Sequence, residues 1–568
     1  MHLHAHFLDI IQSTLKAMQA EGDLPTGLDL SNITLEPPRD PSHGDLATNA
    51  AMVLTKQAKL PPREIAVRLA QRLARMPEIN TAEIAGPGFL NLTLKRAVWE
   101  AELTKIDENF GRGAPKPDSR INVEYVSTNP TGPVHVGHCR GAVVGDALAS
   151  LLAFAGHQVT REYYINDAGG QVDVLARSVH LRYREALGET ITLPEGYYPG
   201  DYLIAIGQNL AAEHGNKFVS LPEADWLPLF RSHTVALMMD RIREDLASLG
   251  VHHDVFFSEA SLGPRVQEAL EALDARGLIY QGVLERPKGT SPEDWEPRPQ
   301  TLFRSTQFGD DQDRALQKSD GSWTYFAGDV AYHYDKLKRG HTALVDVFGA
   351  DHAGYVKRVT AAVAALSDGK VPLDIKVVQL VKLLKNGEPF KMSKRAGNFI
   401  TLRDIVDEVG RDVVRFIMLT KRPESPLEFD FARVVEQSRE NPVFYVQYAH
   451  ARIKSLGRKT ADMALPPADP SLLNADELAA LKLAAQFPRL IEQAADAREP
   501  HRLAFYLNDL AAAFHSLWNA GNDDPDRRFI LEDNQPLTAA RLALANAIAQ
   551  VLRTGLAVIG VTAADELH

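Results

Sequence analysis

INVEYVSTNPTGPVHVGHCRGAVVGDALASLLAFAGHQVTREYYIN, residues 121–166, contains the succession that decides the fold. INVEYV (121–126) alternates in the manner of a strand. STNPTGPVHVGH (127–138) is too rich in Pro and Gly to continue it and reads as a loop. From Cys139 the period changes: Val143, Val144, Ala147, Leu148, Leu151, Leu152 and Ala155 recur at i, i+1, i+4, i+5, one apolar face of a helix that Gly156 can end. HQVTREYYIN (157–166) is a strand again. Strand, loop, helix and strand in that order imply a parallel sheet, whose ligands sit beyond the carboxyl ends of its strands. The loop lies at such an end.

Working outward, GRGAPKPDSR (111–120) is a linker of Gly, Pro and charge just before this unit. The segment ahead of it, residues 1–110, carries helical patterns (MVLTKQ, REIAVRLAQRLARM) and a strand-like FLNLTL after GPG, which suggests a small α+β domain. Residues 111–435 read as a Rossmann-like α/β domain. Its stretch from about 175 to 320, mostly helical with a polar, turn-rich piece at 286–300, reads as an insertion; strand signals return at SWTYFAGDVAYH, TALVDVFGADH and IKVVQLVKLL. Residues 436–568 carry Ala and Leu stripes and read as an all-α domain. The expected fold class is α/β, a parallel-sheet centre flanked by these two domains.

The 568 residues are 45% apolar and 24% charged, the balance of a soluble multidomain protein. A net charge of −12 argues against indiscriminate nucleic-acid binding, so no DNA partner is expected, yet six basic residues and one acid between Lys376 and Arg395 leave room for a local basic surface. The lone Cys139 excludes a disulfide framework and a multi-cysteine zinc site. MHLHAHFLDIIQSTLKAMQA has no basic leader region and reads as a helix of the folded protein, and the apolar run near the C-terminus is broken by Arg553. A cytoplasmic monomer with no membrane contact is expected.

Two stretches carry chemistry. His135, Gly137 and His138 stand where a strand end meets a helix start, and orphan N–H groups and the helix dipole there favour an anion. Imidazoles can donate to phosphate oxygens, and Gly137 removes a side chain that would block a nucleotide. A capping or core histidine pair is the plainer alternative. A metal bound by both histidines and Cys139 would lack a fourth ligand. Farther on, LLKNGEPFKMSKRAGNFITLRDI presents Lys391, Ser393, Lys394 and Arg395 on a loop before an amphipathic helix starting near Leu402. Two ammonium groups there suit a polyphosphate whose charge shifts during reaction; a basic surface loop is the alternative. Tyr445 and Tyr448, three apart on a helical pattern and followed by Arg452, could stack splayed RNA bases or form a core aromatic stripe.

HVGH opening a Rossmann-like domain and KMSKR closing it resemble the two signature motifs of class I aminoacyl-tRNA synthetases. VEYVSTNPTGPVHVGHCRGAVVGD, YYINDAGGQ, TYFAGDVAYHYDKL, GADHAGY and NPVFYVQYAHARI resemble the arginyl-tRNA synthetase family, and the likeness extends over nearly the whole chain. The resemblance implies an ATP-dependent arginine–tRNA ligase that forms arginyl-adenylate and transfers arginine to tRNA(Arg), with Mg2+ sharing the phosphate charge. It implies that Glu124, Asn129, Tyr325 and Asp329 hold L-arginine. It implies ATP contacts from His135, Gly137, His138, Gly349, Asp351, His352, Lys391, Met392, Ser393 and Lys394, with His135, His138, Lys391 and Lys394 catalytic and no resident metal site. The N-terminal domain, with Phe89 and Asn91 in GPGFLNLTL, would contact the tRNA elbow, and the C-terminal domain, with Tyr445, Tyr448 and Arg452, the anticodon. Gly349 and Ala350 stand where some members carry glutamine, and DELH ends the chain where many end in methionine. Two other readings remain: an HxGH nucleotidyltransferase with a small-molecule acceptor, and a non-catalytic RNA-binding paralogue. A guanidinium is best met by carboxylates, which agrees with Glu124 on the strand entering the loop and Asp329 near Tyr325.

Overall fold

The computed structural model describes residues 2–38, 40–284, 298–390, 400–436, 438 and 440–567. The helix Leu3–Ala20 buries Leu3, Phe7, Ile11, Leu15 and Met18, one face at helical spacing. With the helix Pro62–Leu73 it covers a four-stranded antiparallel sheet, ordered Leu35–Glu36, Leu46–Thr48, Phe89–Leu94, Ile79–Ala85. Their apolar side chains form a core of their own, which Ala485 of the C-terminal region also joins.

The central sheet has five strands, β1 (Lys116–Glu124), β2 (His157–Ile165), β3 (Val255–Ser258), β4 (Ala343–Gly349) and β5 (Leu373–Val378), all parallel and ordered β5-β4-β1-β2-β3. From β1 the chain winds to β2 and β3 on one side, then crosses to β4 and β5 on the other. A crevice therefore opens at the carboxyl ends of β1 and β4, where the order reverses. Helix α1 (Val136–Phe154) follows β1 and is buried nearly all round. A Cβ at Gly145 would lie 2.3 Å from Cγ of Tyr125, so the close helix–strand packing requires glycine there.

Two expectations are corrected. SWTYFAGDVAYH is not a strand but the start of helix α2 (Tyr325–Lys338): the Thr324 side chain accepts from Ala327 N and caps it, and this local signal outweighs the aromatic content. The stretch 175–320 is not one helical insertion. The helices Gly170–Ala186, Tyr202–His214 and Glu223–Ser248 form a bundle with their own core, but β3 then returns to the main sheet as its edge strand. A small antiparallel sheet (Ile279–Gly282, Gln300–Phe303, Arg314–Gln317) follows.

Beyond Asn441 the chain is helical, from α3 (Pro442–Lys459) to the long helix Gln535–Val558, and these helices share one continuous core with the central sheet. Arg415 joins the parts. Its buried guanidinium donates to Asp146 of α1 (2.5 Å), to the Leu249 carbonyl (3.1 Å) and to the Ile559 carbonyl that ends the last helix (2.9 Å). Among the described residues no helix is long and apolar enough to cross a membrane.

Candidate active site

At the crevice lies a cavity of about 510 Å³. Glu124, Asn129, Tyr325 and Asp329 line it together with His138, Gly349, Asp351 and His352, so two groups of residues far apart in sequence share one space. His135 and Gly137 stand beside it at the start of α1.

The end of β1 is strained. Val126 has φ 73° and Ser127 φ 41°, and Ser127 N donates to the Tyr125 carbonyl, the rare γ-turn of positive φ. For a β-branched residue such a turn is costly and marks a functional position. It brings the Ser127 hydroxyl to Glu124: Oγ donates to Glu124 Oε1 (3.0 Å) and accepts from Tyr164 N (3.1 Å).

Glu124 is buried and paired. Lys336 of α2 donates to Glu124 Oε2 (2.6 Å) and to Asp346 Oδ1 on β4 (3.0 Å), while His333 is hydrogen-bonded to Asp346 Oδ2 (2.8 Å). Burial works against both charges, but the mutual attraction outweighs it, raising Lys336 and lowering Asp346. Alongside, Glu162 accepts from Arg339 through two nitrogens (2.6 and 2.7 Å), from Tyr332 (2.8 Å) and from Asn122 (2.7 Å). Glu124, His333 and Asp346 could geometrically hold a cation, but the Lys336 ammonium already lies between Glu124 and Asp346.

Two further carboxylates face the cavity with no cation bound to them among the described residues. Burial, with Glu124 and Glu259 nearby and only His333 opposing, pushes Asp329 up to about 7. Burial likewise raises Glu259, which sequence reading did not single out. The cavity thus carries an unmet demand for positive charge. Tyr325, four residues before Asp329 on the same helix face, is 80% exposed and stands at the rim. Asn129 Nδ2 donates to Gln171 Oε1 (2.9 Å).

His135 is the N-cap of α1, and its Nδ1 accepts from Gly137 N (3.0 Å). The His138 ring lies 3.9 Å from it, centroid to centroid. Burial, then the neighbouring His135, pushes His138 down to about 4, so it is a neutral imidazole near neutral pH; its Nδ1 has no partner among the described residues. The role read for Gly137 is extended: a Cβ there would meet His135 Cε1 at 2.6 Å, so the glycine first makes room for the ring. Gly349 ends β4, and a Cβ on it would lie 2.5 Å from Asp351 Oδ1. Lys391, Met392, Ser393 and Lys394 lie outside the described residues. The chain after them returns to the histidine segment: Val136 N donates to the Ile400 carbonyl (2.9 Å) and Leu402 N to the Val134 carbonyl (2.7 Å), a bridge between His135 and Thr401.

Of the residues expected to meet RNA, Tyr445 and Tyr448 on α3 are half-buried against the His515 ring (4.5 and 5.9 Å). Arg452 lies over Tyr448 (4.1 Å) and Trp518 (4.9 Å) and donates to the Tyr448 hydroxyl. Phe89 is 41% exposed, whereas Asn91 is 9% exposed and its carboxamide makes no hydrogen bond among the described residues. The C-terminal segment packs on α3, with the Ala564 carbonyl 2.8 Å from His450 Nδ1 and Glu566 3.4 Å from Arg458.

A Rossmann-type sheet with an HxGH turn at its switch point, followed by a helical domain, has the architecture of a class I aminoacyl-tRNA synthetase, and the family match makes the class definite. Three family models match: the arginyl-tRNA synthetase N-terminal domain over residues 5–94, the class I (R) tRNA synthetase catalytic domain over 106–424, and the DALR anticodon-binding domain over 446–567. The chain belongs to the arginyl-tRNA synthetase family. It is 60% identical to an arginine–tRNA ligase of Novosphingobium aromaticivorans over all of this chain and 99% of the other, and 57% identical to one of Ruegeria pomeroyi over the whole of both. A crystal structure described as a putative arginyl-tRNA synthetase from Campylobacter jejuni is similar at 34% identity and TM-score 0.71, over 83% of this chain and 98% of that one. The arginyl-tRNA synthetase of Thermus thermophilus, at 21% identity and TM-score 0.72 over both whole chains, shares the fold.

Proposed function

We propose that the cavity between β1 and β4 is where this arginine–tRNA ligase joins its two small substrates. The chain activates L-arginine with ATP and charges tRNA. The observation that carries the site assignment is the meeting, in one cavity, of the buried carboxylates Asp329 and Glu259 with His138 of the histidine turn and Asp351.

In this reading the arginine guanidinium lies against Glu124 and Asp329, with Tyr325 closing over it and Asn129 near its α-amino end. Ser127 and Lys336 keep Glu124 in place. The arginine carboxylate attacks the α-phosphorus of ATP: a carboxyl-oxygen-to-phosphorus bond forms, the bond to the bridging oxygen breaks, and pyrophosphate leaves with those electrons. His138, held neutral, donates one N–H to a phosphate oxygen, His135 supports it, and Gly349, Asp351 and His352 border the nucleotide. Lys391 and Lys394, with Met392 and Ser393 between them, neutralise the departing pyrophosphate. No protein nucleophile is needed. Mg2+ arriving with the ATP would supply further charge neutralisation on the phosphates. The buried Glu124, His333 and Asp346 do not suit it, because the Lys336 ammonium already lies between the two carboxylates. The 2′-hydroxyl of the terminal adenosine of tRNA then attacks the adenylate carbonyl and AMP leaves.

For tRNA(Arg), the reading assigns Arg452, Tyr448 and Tyr445 to the anticodon. Phe89, which is exposed, and Asn91, two residues on along the same strand, meet the elbow. The division into 1–110, 111–435 and 436–568, and action as a cytoplasmic monomer, belong to the same reading. Charging of total tRNA with each amino acid in turn tests it: arginine alone should be accepted. Arginine-dependent pyrophosphate exchange, with and without tRNA, tests the first step, and its complete absence would leave only an RNA-binding role.

A further inference from the structure

Arg140, five residues beyond His135 on α1, is completely buried and has no carboxylate bound to it among the described residues. A buried cation without a counter-charge is costly unless its N–H groups are all met. Here backbone carbonyls meet those of the two terminal nitrogens, leaving only Nε without a partner among the described residues: Nη1 donates to Ser425 (2.6 Å) and Gln379 (3.2 Å), Nη2 to Arg422 (2.8 Å) and Lys421 (3.4 Å). Gln379 follows β5 and opens the strand Val381–Lys385, and the 421–425 turn opens the strand Leu427–Asp430, its parallel partner. The two are also joined directly, Gln379 N to the Pro423 carbonyl at 2.9 Å. One guanidinium thus ties the histidine helix to the base of a small sheet, completed by Glu388–Pro389. At the far end of that sheet Asp430 accepts from Asn386 N (3.1 Å) and Gly387 N (2.7 Å), just before the chain enters the lysine motif. Beyond the motif, Ile400 and Leu402 are bonded back to the histidine segment.

We propose that Arg140 is a positioning residue for the activation step, fixing the hairpin Val381–Pro389, from which the sequence continues into the lysine motif, relative to His135 and His138. The inference rests on the role given above to Lys391 and Lys394. A planar fork spreads its donors over two terminal nitrogens and so reaches four carbonyls on two segments, whereas a lysine ammonium offers three N–H groups from a single nitrogen.

The test is the rate constant for arginyl-adenylate formation in the full chain with tRNA present, for wild type, R140K, K394A and the double variant. Misplacement of about 1 Å costs about a hundredfold. R140K is therefore expected to slow the step by about ten- to a hundredfold, with arginine affinity within about twofold of wild type. In the K394A background the same change should cost no more than about twofold, because the group it positions is gone. D430N, which disturbs the far end of the sheet and spares Arg140, should show the same pattern and serves if R140K does not fold. A normal rate in R140K, or an equal loss in both backgrounds, overturns the inference while leaving the lysines' role intact. A normal rate in K394A overturns that role and this inference together.

Discussion

Lys336 Nζ lies 2.6 Å from Glu124 Oε2, a buried ion pair that reaches from α2 to the end of β1 and fixes the carboxylate assigned to the substrate guanidinium. The two partners should respond differently to substitution. Lys336→Met strands Glu124 and Asp346 without their cation, a loss of about 3–5 kcal/mol in stability that urea unfolding would report. Glu124→Gln leaves Lys336 paired with Asp346 and should fold nearly normally. It should weaken arginine binding by about ten- to a hundredfold, the worth of one charged hydrogen bond. Wild-type arginine affinity in Glu124→Gln would remove this residue from the pocket.

Asp329 gives the site a pH dependence. Its carboxyl titrates at about 7 in the empty cavity, yet only the anion can pair with a guanidinium. Arginine affinity should therefore fall by up to about tenfold per pH unit below 7, and binding at pH 6 should release a proton. Calorimetry in buffers of different ionisation enthalpy measures that proton directly. An affinity constant from pH 5.5 to 8 would contradict the assignment.

The same shift makes a stability prediction of opposite benefit. The folded pKa lies above the unfolded one, so the unfolded chain ionises first as pH rises, and stability is lost between about pH 4 and 7. Asp329→Asn removes that penalty. It should raise stability at pH 8 by on the order of a few kcal/mol, seen as a higher melting temperature, while abolishing useful arginine binding.

His138 is expected to act as a neutral donor. His138→Ala should slow adenylate formation by about a hundred- to a thousandfold with little change in arginine affinity. Because the ring titrates at about 4, the ratio of wild-type to variant rate should stay flat from about pH 6 to 9. Asn, which keeps an N–H donor, should retain more activity than Ala. A ratio that climbs as the pH falls through 6.5 would instead mark a cationic imidazole.

How far the site was legible depended on local period. The strand, loop and helix around His135 were readable because each obeys its own pattern, and the parallel sheet followed from their order. In α2, reading TYFAGDVAYH as a strand hid Lys336: in a helix Asp329, His333 and Lys336 share one face, whereas two-residue alternation turns Lys336 away from the others. Glu124 was found but its partners were not, since Asp346 is its neighbour only through the β1–β4 register. Ser127 and the γ-turn at Val126 carry no signal at all, because a valine at positive φ contradicts every local preference. Glu259 faces the cavity from the turn after β3, a strand absorbed into the presumed insertion.

Gly137 separates activity from stability most cleanly. It sits in the first turn of α1, where alanine is the better helix former by about 1 kcal/mol, a gain that offsets a similar cost of losing the His135 cap, so Gly137→Ala should leave the melting temperature nearly unchanged. Its Cβ, however, would fall 2.6 Å from His135 Cε1 and 2.8 Å from Nδ1, distances that no packed pair tolerates. The ring must turn away, giving up its hydrogen bond from Gly137 N and its contact with the His138 ring. Arginine binding, on the other side of the cavity, is untouched by that movement. The expected outcome is a stable protein with normal arginine affinity and an adenylate-forming step slower by about tenfold or more. A wild-type rate in this variant would mean that the placement of His135 does not matter to activation, and that its ring serves only to cap the helix.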